Sequence, residues 1–208
     1  MGKDKIKVLV VDDHAIVRMG LVALLEAEDD IAVVGDAEDG ADALRKAIKL
    51  SPDIVILDLM MPVMDGVTAT RELQTKAPNA KVLILTTSTV SDDLARAMEA
   101  GAAGIVPKSS PNASLLAAIR AVAAGQTSVA PEIRELISQD PPAPELTARQ
   151  REILNYITRG LRNSDIAREL GIAQDSVKEH LSAIFHKIGA VNRAEAIAIA
   201  LRKHLLKT

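Results

Sequence analysis

Five short apolar runs set the strongest constraint on how this chain can fold. They are Ile6–Val11, Ala32–Gly35, Ile54–Leu57, Val82–Leu85 and Gly104–Val106. Apart from Lys7 near the start of the first, each is continuously apolar where a half-exposed strand would alternate. That is the pattern of a strand buried on both faces, as in a parallel sheet. Helical periodicity separates the runs and predicts helices over about 14–27, 39–50, 64–76, 91–100 and 111–124, with Gly101 and Gly125 placed to end two of them. Five strand–helix units predict a doubly wound α/β domain over residues 1–125.

The rest of the chain has a different character. Residues 126–144 contain Pro131 and the run Pro141-Pro142-Ala143-Pro144, which breaks regular structure and reads as a linker, with room for a short helix over 131–138. From 145 to 208 every signal is helical. Thr147 with Gln150 forms a capping-box pattern and Gly160 ends that helix; Asn163 opens a second, closed by Gly171; a third runs from about Gln174 to Ile188; Asn192 with Glu195 caps a fourth.

Charge divides along the same line. Residues 1–144 carry 14 Lys+Arg against 21 Asp+Glu, and residues 145–208 carry 11 against 7. The basic helical part suits a polyanion. With one Phe and one Tyr in the chain, no platform exists for stacking single-stranded bases, so duplex DNA is the nucleic acid that fits. The chain has no cysteine, which excludes disulfides and thiolate metal sites and accords with a reducing cytoplasm. No apolar run reaches the length of a membrane span, and the start, Met1-Gly2-Lys3-Asp4-Lys5, does not read as a signal peptide.

Ligands of an open parallel sheet bind beyond the carboxyl ends of its strands. There the first strand ends in Asp12-Asp13, the third in Asp58 and the fourth in Thr86, and Lys108 follows the fifth. Any one of these acids reads equally well as a helix cap or a solvated loop charge; five polar groups at consecutive strand ends do not. Three converging carboxylates need a cation, and an all-oxygen set suits Mg²⁺. A carboxylate can attack phosphorus to give an aspartyl-phosphate, with Lys108 neutralising the transferring group and Thr86 within reach of it.

These residues, with Asp58-Leu-Met-Met-Pro-Val-Met-Asp-Gly66, resemble the receiver domain of bacterial two-component response regulators over residues 5–125. The resemblance implies a flavodoxin-like fold and Asp58 as acceptor of phosphate from a sensor histidine kinase. It implies Mg²⁺ on Asp13, Asp58 and the Met60 carbonyl, with Asp12 acting through water, Lys108 on the phosphate and Thr86 as the switch. Three positions depart from the pattern: Ile105 stands where most receivers have Tyr or Phe, Ser109 where many have Pro, and Ala15 where a Pro is common. The first bears on mechanism, because Ile105 has no ring to rotate.

In the basic part, residues 163–188 read as helix, turn, helix, with Val177, Leu181, Ile184 and Ile188 on one stripe. A polar outer face on the second helix suits a major groove. By periodicity alone an ordinary helical bundle explains this as well. Leu146-Thr147-Ala148-Arg149, Glu152-Ile153-Leu154, Asn163-Ser164-Asp165-Ile166-Ala167 and Ser176-Val177-Lys178-Glu179-His180 resemble the LuxR-type C-terminal domain, and the whole chain resembles a NarL/FixJ-type response regulator. That resemblance implies base contacts from Lys178, Glu179 and Ser182, phosphate contacts from Gln174, Ser176 and Arg193, and a homodimer on phosphorylation. His180 and His186 lack a metal partner in this pattern.

The competing readings are an aspartate-nucleophile phosphatase and a receiver-containing interaction protein. Haloacid-dehalogenase-like phosphatases place a general acid two residues after the nucleophile. Met60 occupies that position here, so an acyl-phosphate would persist as a signal and not turn over. The complete set Asp13, Asp58 and Lys108 argues against a decayed receiver. Every expectation here is for a regulator and not an enzyme.

Overall fold

In a computed structural model describing residues 5–139, 146–203 and 205–206, the apolar runs form strands β1 (Ile6–Val11), β2 (Ile31–Ala37), β3 (Ile54–Leu57), β4 (Lys81–Thr86) and β5 (Gly104–Pro107). The helices are α1 (Ala15–Glu26), α2 (Gly40–Leu50), α3 (Gly66–Lys76), α4 (Ser91–Glu99) and α5 (Asn112–Ala123). A sixth strand, β6 (Ser128–Val129), and a helix, α6 (Pro131–Gln139), follow them. All strand pairs are parallel, in the order β2-β1-β3-β4-β5-β6. The doubly wound expectation is met.

Two-residue alternation splits each apolar run between two cores. Leu9, Val11, Val55, Leu57, Val82, Ile84 and Ile105 face one side of the sheet, under residues of α2, α3, α4 and α6. Val8, Val10, Ile54, Ile56, Leu83, Leu85 and Val106 face the other, under α1 and α5. Side chains of successive strand residues point to opposite faces, so a strand covered on both must be apolar throughout.

Within the stretch 126–144 expected as a linker, residues 126–139 are structured, and the short helix expected over 131–138 is present as α6. Ser128 and Val129 pair with Gly104 and Ile105, the Ala130 N–H donates to the Ile105 carbonyl, and Ile133 of α6 is buried in the same core as Leu94 of α4. Two β residues are too few for a periodicity to register, and Pro131 reads as a breaker although proline is at home in a first helical turn. The Pro141–Pro144 run, and with it the proposed boundary at 144/145, lies outside the described residues. The chain divides into units Met1–Asp140 and Pro141–Thr208.

The second unit holds α7 (Ala148–Thr158), α8 (Asn163–Leu170), α9 (Gln174–Ile188) and α10 (Arg193–Arg202) around a core that includes Ile153, Ile157, Ile166, Val177, Leu181, Ile184 and Ala196. The predicted capping box at Thr147 and Gln150 is formed. Gly171 takes the left-handed conformation, φ 62°, that turns α8 into α9. No helix among the described residues is long and apolar enough to cross a membrane.

If α6 belongs to the first unit, Ile133→Ala should destabilise that unit by about 2–5 kcal/mol, read from its denaturant midpoint. A midpoint unmoved by the substitution would return α6 to the linker.

Candidate functional site

The chain order reverses between β1 and β3, the crevice where doubly wound sheets hold ligands. Asp12 follows β1 and Asp58 follows β3, on either side of that crevice; Thr86 closes β4 and Lys108 follows β5. Other acids of the region do local work. Asp39 caps α2 by accepting from the Asp42 N–H, and Asp65 caps α3 by accepting from Thr68 N–H, as short carboxylates do at helix starts.

Asp12 and Asp58 are only 1% and 4% exposed. Two buried carboxylates repel each other unless a cation joins them. Lys108 does so, its Nζ lying 2.7 Å from Asp12 Oδ2 and donating to Asp58 Oδ2 at 2.7 Å. Burial, the largest single influence on the ammonium, favours losing the proton; hydrogen bonds and charge from Asp12 and Asp58 outweigh it and raise the Lys108 pKa above its ordinary value. Asp12 is tied further by the His14 N–H, which donates to its Oδ1 at 2.8 Å, and by its own N–H to the Ala37 carbonyl.

Asp13 stands at the open side. Ligand atoms of Asp12, Asp13, His14 and Asp58 all lie within 4.8 Å of one another. Three carboxylates against one ammonium leave net negative charge, and the oxygen-rich donor set fits a hard cation such as Mg²⁺. The Met60 N–H donates to Asp58 Oδ1 at 3.4 Å, which sets the backbone of Met60 beside the same carboxylate. The β3–α3 loop is confined from beneath: a Cβ on Gly66 would fall 2.5 Å from the Asp58 carbonyl oxygen. Val63, in the same loop, has φ 66°, a region costly for a β-branched residue.

Thr86 is buried, and its hydroxyl accepts from the Ser88 N–H at 2.9 Å. Ser88 Oγ in turn accepts from the Val90 N–H, at the residue that precedes α4. The Lys108 N–H donates to the Thr86 carbonyl, which joins the ends of β4 and β5 beside the acids. Ile105 is fully buried between Ile84 and Val129 in the sheet, and a side chain so enclosed has no exposed alternative to move to.

In the second unit Val177, Leu181, Ile184 and Ile188 are buried, and Gln174, Lys178, Glu179 and Ser182 are exposed on the rest of α9, with Ser176 half-buried. Lys178 Nζ donates to Asp175 Oδ1 at 2.8 Å, and this contact holds the Asp175 carboxyl below the usual carboxylate range. Arg193 opens α10 and is half-buried. Its guanidinium donates to the Leu161 carbonyl and to Asn163 Oδ1. It therefore ties the start of α10 to the turn before α8.

Sequence reading missed His14 and Arg18. His14 Nδ1 lies 2.7 Å from Asp13 Oδ1, and its place directly after the acidic pair was the available signal. Arg18 reaches the Asp12 backbone from α1; no spacing rule announces a side chain that bonds to a main-chain carbonyl.

Two family models match the chain: "Response regulator receiver domain" over residues 8–120 and "Bacterial regulatory proteins, luxR family" over 144–200. The chain is 38% identical over 209 residues to the transcriptional regulatory protein LiaR of Bacillus subtilis, covering 97% of this chain and 99% of LiaR. It is 35% identical over 207 residues to the response regulator protein VraR of Staphylococcus aureus, covering 97% and 99%. Among solved structures, the response regulator ChrA of a heme-sensing two-component system superposes with a TM-score of 0.59 at 39% identity, covering 98% of this chain and all of ChrA.

Replacing Lys108 by Met should leave Asp12 and Asp58 facing each other without a counter-ion and cost about 3–5 kcal/mol of stability in metal-free buffer at neutral pH, measured by denaturation. Because the folded-state pKa of Lys108 is raised, its stabilisation is full below the ordinary lysine value, about 10.5, and is lost as pH rises through the folded value. The difference between wild type and variant should therefore shrink only in strongly alkaline buffer. A variant as stable as wild type at pH 7 would mean that the carboxylates do not depend on this ammonium.

Proposed function

The chain belongs to the response regulators that join a receiver domain to a LuxR-type DNA-binding domain, and from that premise we propose that phosphate on Asp58 controls how its helix α9 engages promoter DNA. As a member of this family it is a DNA-binding transcriptional regulator. The observation that carries the finer reading is the Lys108 ammonium held between Asp12 and Asp58 at the carboxyl edge of the sheet.

In this reading an Asp58 carboxylate oxygen attacks the phosphorus of a phosphohistidine on a sensor kinase. The P–N bond breaks, and its electron pair stays on the imidazole, which takes a proton from water. Asp13, Asp58 and the Met60 carbonyl would hold Mg²⁺, with Asp12 acting through water; when bound it offsets charge on the transferring group. Lys108 exchanges part of its ion pair for a phosphate oxygen. The group two residues after Asp58 is Met60, with no proton to donate or accept, so the acyl-phosphate persists.

The new phosphate oxygens compete for the Thr86 hydroxyl, now the acceptor for Ser88 N–H. Moving that hydroxyl frees the Thr86–Ser88–Val90 ties at the start of α4, and α6 packs on α4. This route needs no aromatic ring and accommodates Ile105. We place the receiver's functional end at α6 and not at 125.

On the DNA side, Lys178, Glu179 and Ser182 face base edges, with Gln174 and Ser176 nearer phosphates. Arg193, tied to Leu161 and Asn163, also meets a phosphate. A phosphorylation-dependent homodimer would present two such heads to paired half-sites. Ile16 and Met19, 87% and 72% exposed on α1, supply apolar area for it. A cytoplasmic chain, where kinase and promoter are both in reach, completes the reading.

Acetyl phosphate with Mg²⁺ should add one phosphoryl group, read by intact mass, and raise affinity for duplex DNA selected from a random pool. Asp58→Asn should lose both effects; Thr86→Ala should keep the phosphate and lose the gain in affinity. Undiminished labelling of Asp58→Asn would overturn the assignment. Lys178→Ala should weaken the selected site by about 1–3 kcal/mol while non-specific duplex changes little beyond one unit charge; an unchanged ratio between the two would remove Lys178 from the base contacts.

A further inference from the structure

We propose that Arg18 is a positioning residue for the acidic site: its guanidinium fork holds the peptide between Asp12 and Asp13 in the plane that aims Asp13 at the cation. The inference rests on the reading of Asp13 and Asp58 as Mg²⁺ ligands and adds a residue that touches neither metal nor phosphate.

Arg18 lies on α1, one turn after His14, and its side chain is 17% exposed although its neighbours Ile16, Val17, Met19 and Gly20 all face outward. Nη1 donates to the Asp12 carbonyl oxygen at 2.6 Å, and Nε donates to Asp36 Oδ2 at 2.7 Å. Asp36 sits on β2, beside β1, and its own carbonyl accepts from Lys46 Nζ. One planar, permanently charged group therefore spans from β2 to the last peptide of the β1 edge. Lysine has the charge but not the rigid fork.

Asp12 is held from several directions. Its N–H goes to Ala37, its carbonyl to Arg18 and Oδ1 to His14 N–H, while Oδ2 has only the ion pair with Lys108. The carbonyl of Asp12 and the N–H of Asp13 belong to one rigid peptide. Fixing the first sets the direction in which Asp13 leaves the chain. Asp13 itself lacks such bracing: its carboxylate touches only the exposed His14 ring among the hydrogen bonds described. Groups that orient ligands from behind change metal affinity by about 10–100-fold when removed.

Charge alone predicts the opposite sign. Removing a cation beside three carboxylates should tighten Mg²⁺ binding. If Arg18 positions, its loss should weaken binding even so.

The experiment is calorimetric titration of the full chain with Mg²⁺, comparing wild type, Arg18→Gln, Arg18→Lys and Asp13→Ala, with amide hydrogen exchange on the metal-free proteins. Arg18→Gln and Arg18→Lys should both weaken Mg²⁺ by about tenfold, with faster exchange confined to residues 12–14. Phosphorylation by acetyl phosphate should recover toward the wild-type rate at saturating Mg²⁺, because the ligands are misaimed and not lost. Tighter binding by Arg18→Gln, or wild-type binding by Arg18→Lys, would overturn the proposal in favour of a charge effect. Exchange that quickens throughout the receiver, or failure of both variants to fold, would overturn it in favour of a structural role. If Asp13→Ala binds Mg²⁺ like wild type, the metal reading itself is at fault, and that failure is separable from the others.

Discussion

One ammonium group shared by two buried carboxylates organises the receiver. Asp12 and Asp58 come from different strands, and Lys108 comes from the far side of β5, 50 residues after Asp58. Packing the apolar strands side by side forces the two acids together at the crevice, and Lys108 lies 2.7 Å from both. The arrangement is stable enough to persist and still short of positive charge. That imbalance, with an oxygen-rich donor set, fits a hard divalent cation. Gly66 lies beneath the Asp58 backbone and Arg18 bonds to the Asp12 carbonyl, so both confine the backbone around the acids.

The same edge of the sheet connects to the start of α4. The hydroxyl of Thr86, the Lys108 backbone and the start of α4 lie on one hydrogen-bonded path. The core above that path is shared with α6 through Ile133 and Leu94. A receiver with an aromatic ring in place of Ile105 has a side chain able to swing between two states. Here the position is a sheet residue paired on both sides and wholly buried.

Much of this was legible before any coordinates. Continuous apolar runs identified buried parallel strands because both faces of the sheet are covered, and helix limits fell within two residues of the observed ones because caps such as Asp39, Asp65 and Thr147 are local chemistry. The polar strand ends singled out Asp12, Asp13, Asp58, Thr86 and Lys108, and the structure brings Lys108 onto Asp12 and Asp58. What went unread was non-local or too short to have a period: β6 with two residues, the packing of α6 into the core of the first unit, and the tie from Arg193 to Leu161 and Asn163.

By itself, then, the order of residues determined the fold class, the set of groups at the sheet edge and the polar face of α9, because each depends on periodicity or on what lies next in the chain. Only the tertiary structure decided which partner each charge takes. Lys108 could have paired with any acid of the edge, and it bridges two; Arg18 could have faced solvent like its neighbours, and it holds a carbonyl. Those choices are made by distances across the sheet, where a few ångströms separate a buried ion pair from a solvated one, and such distances exist only once the strands have packed.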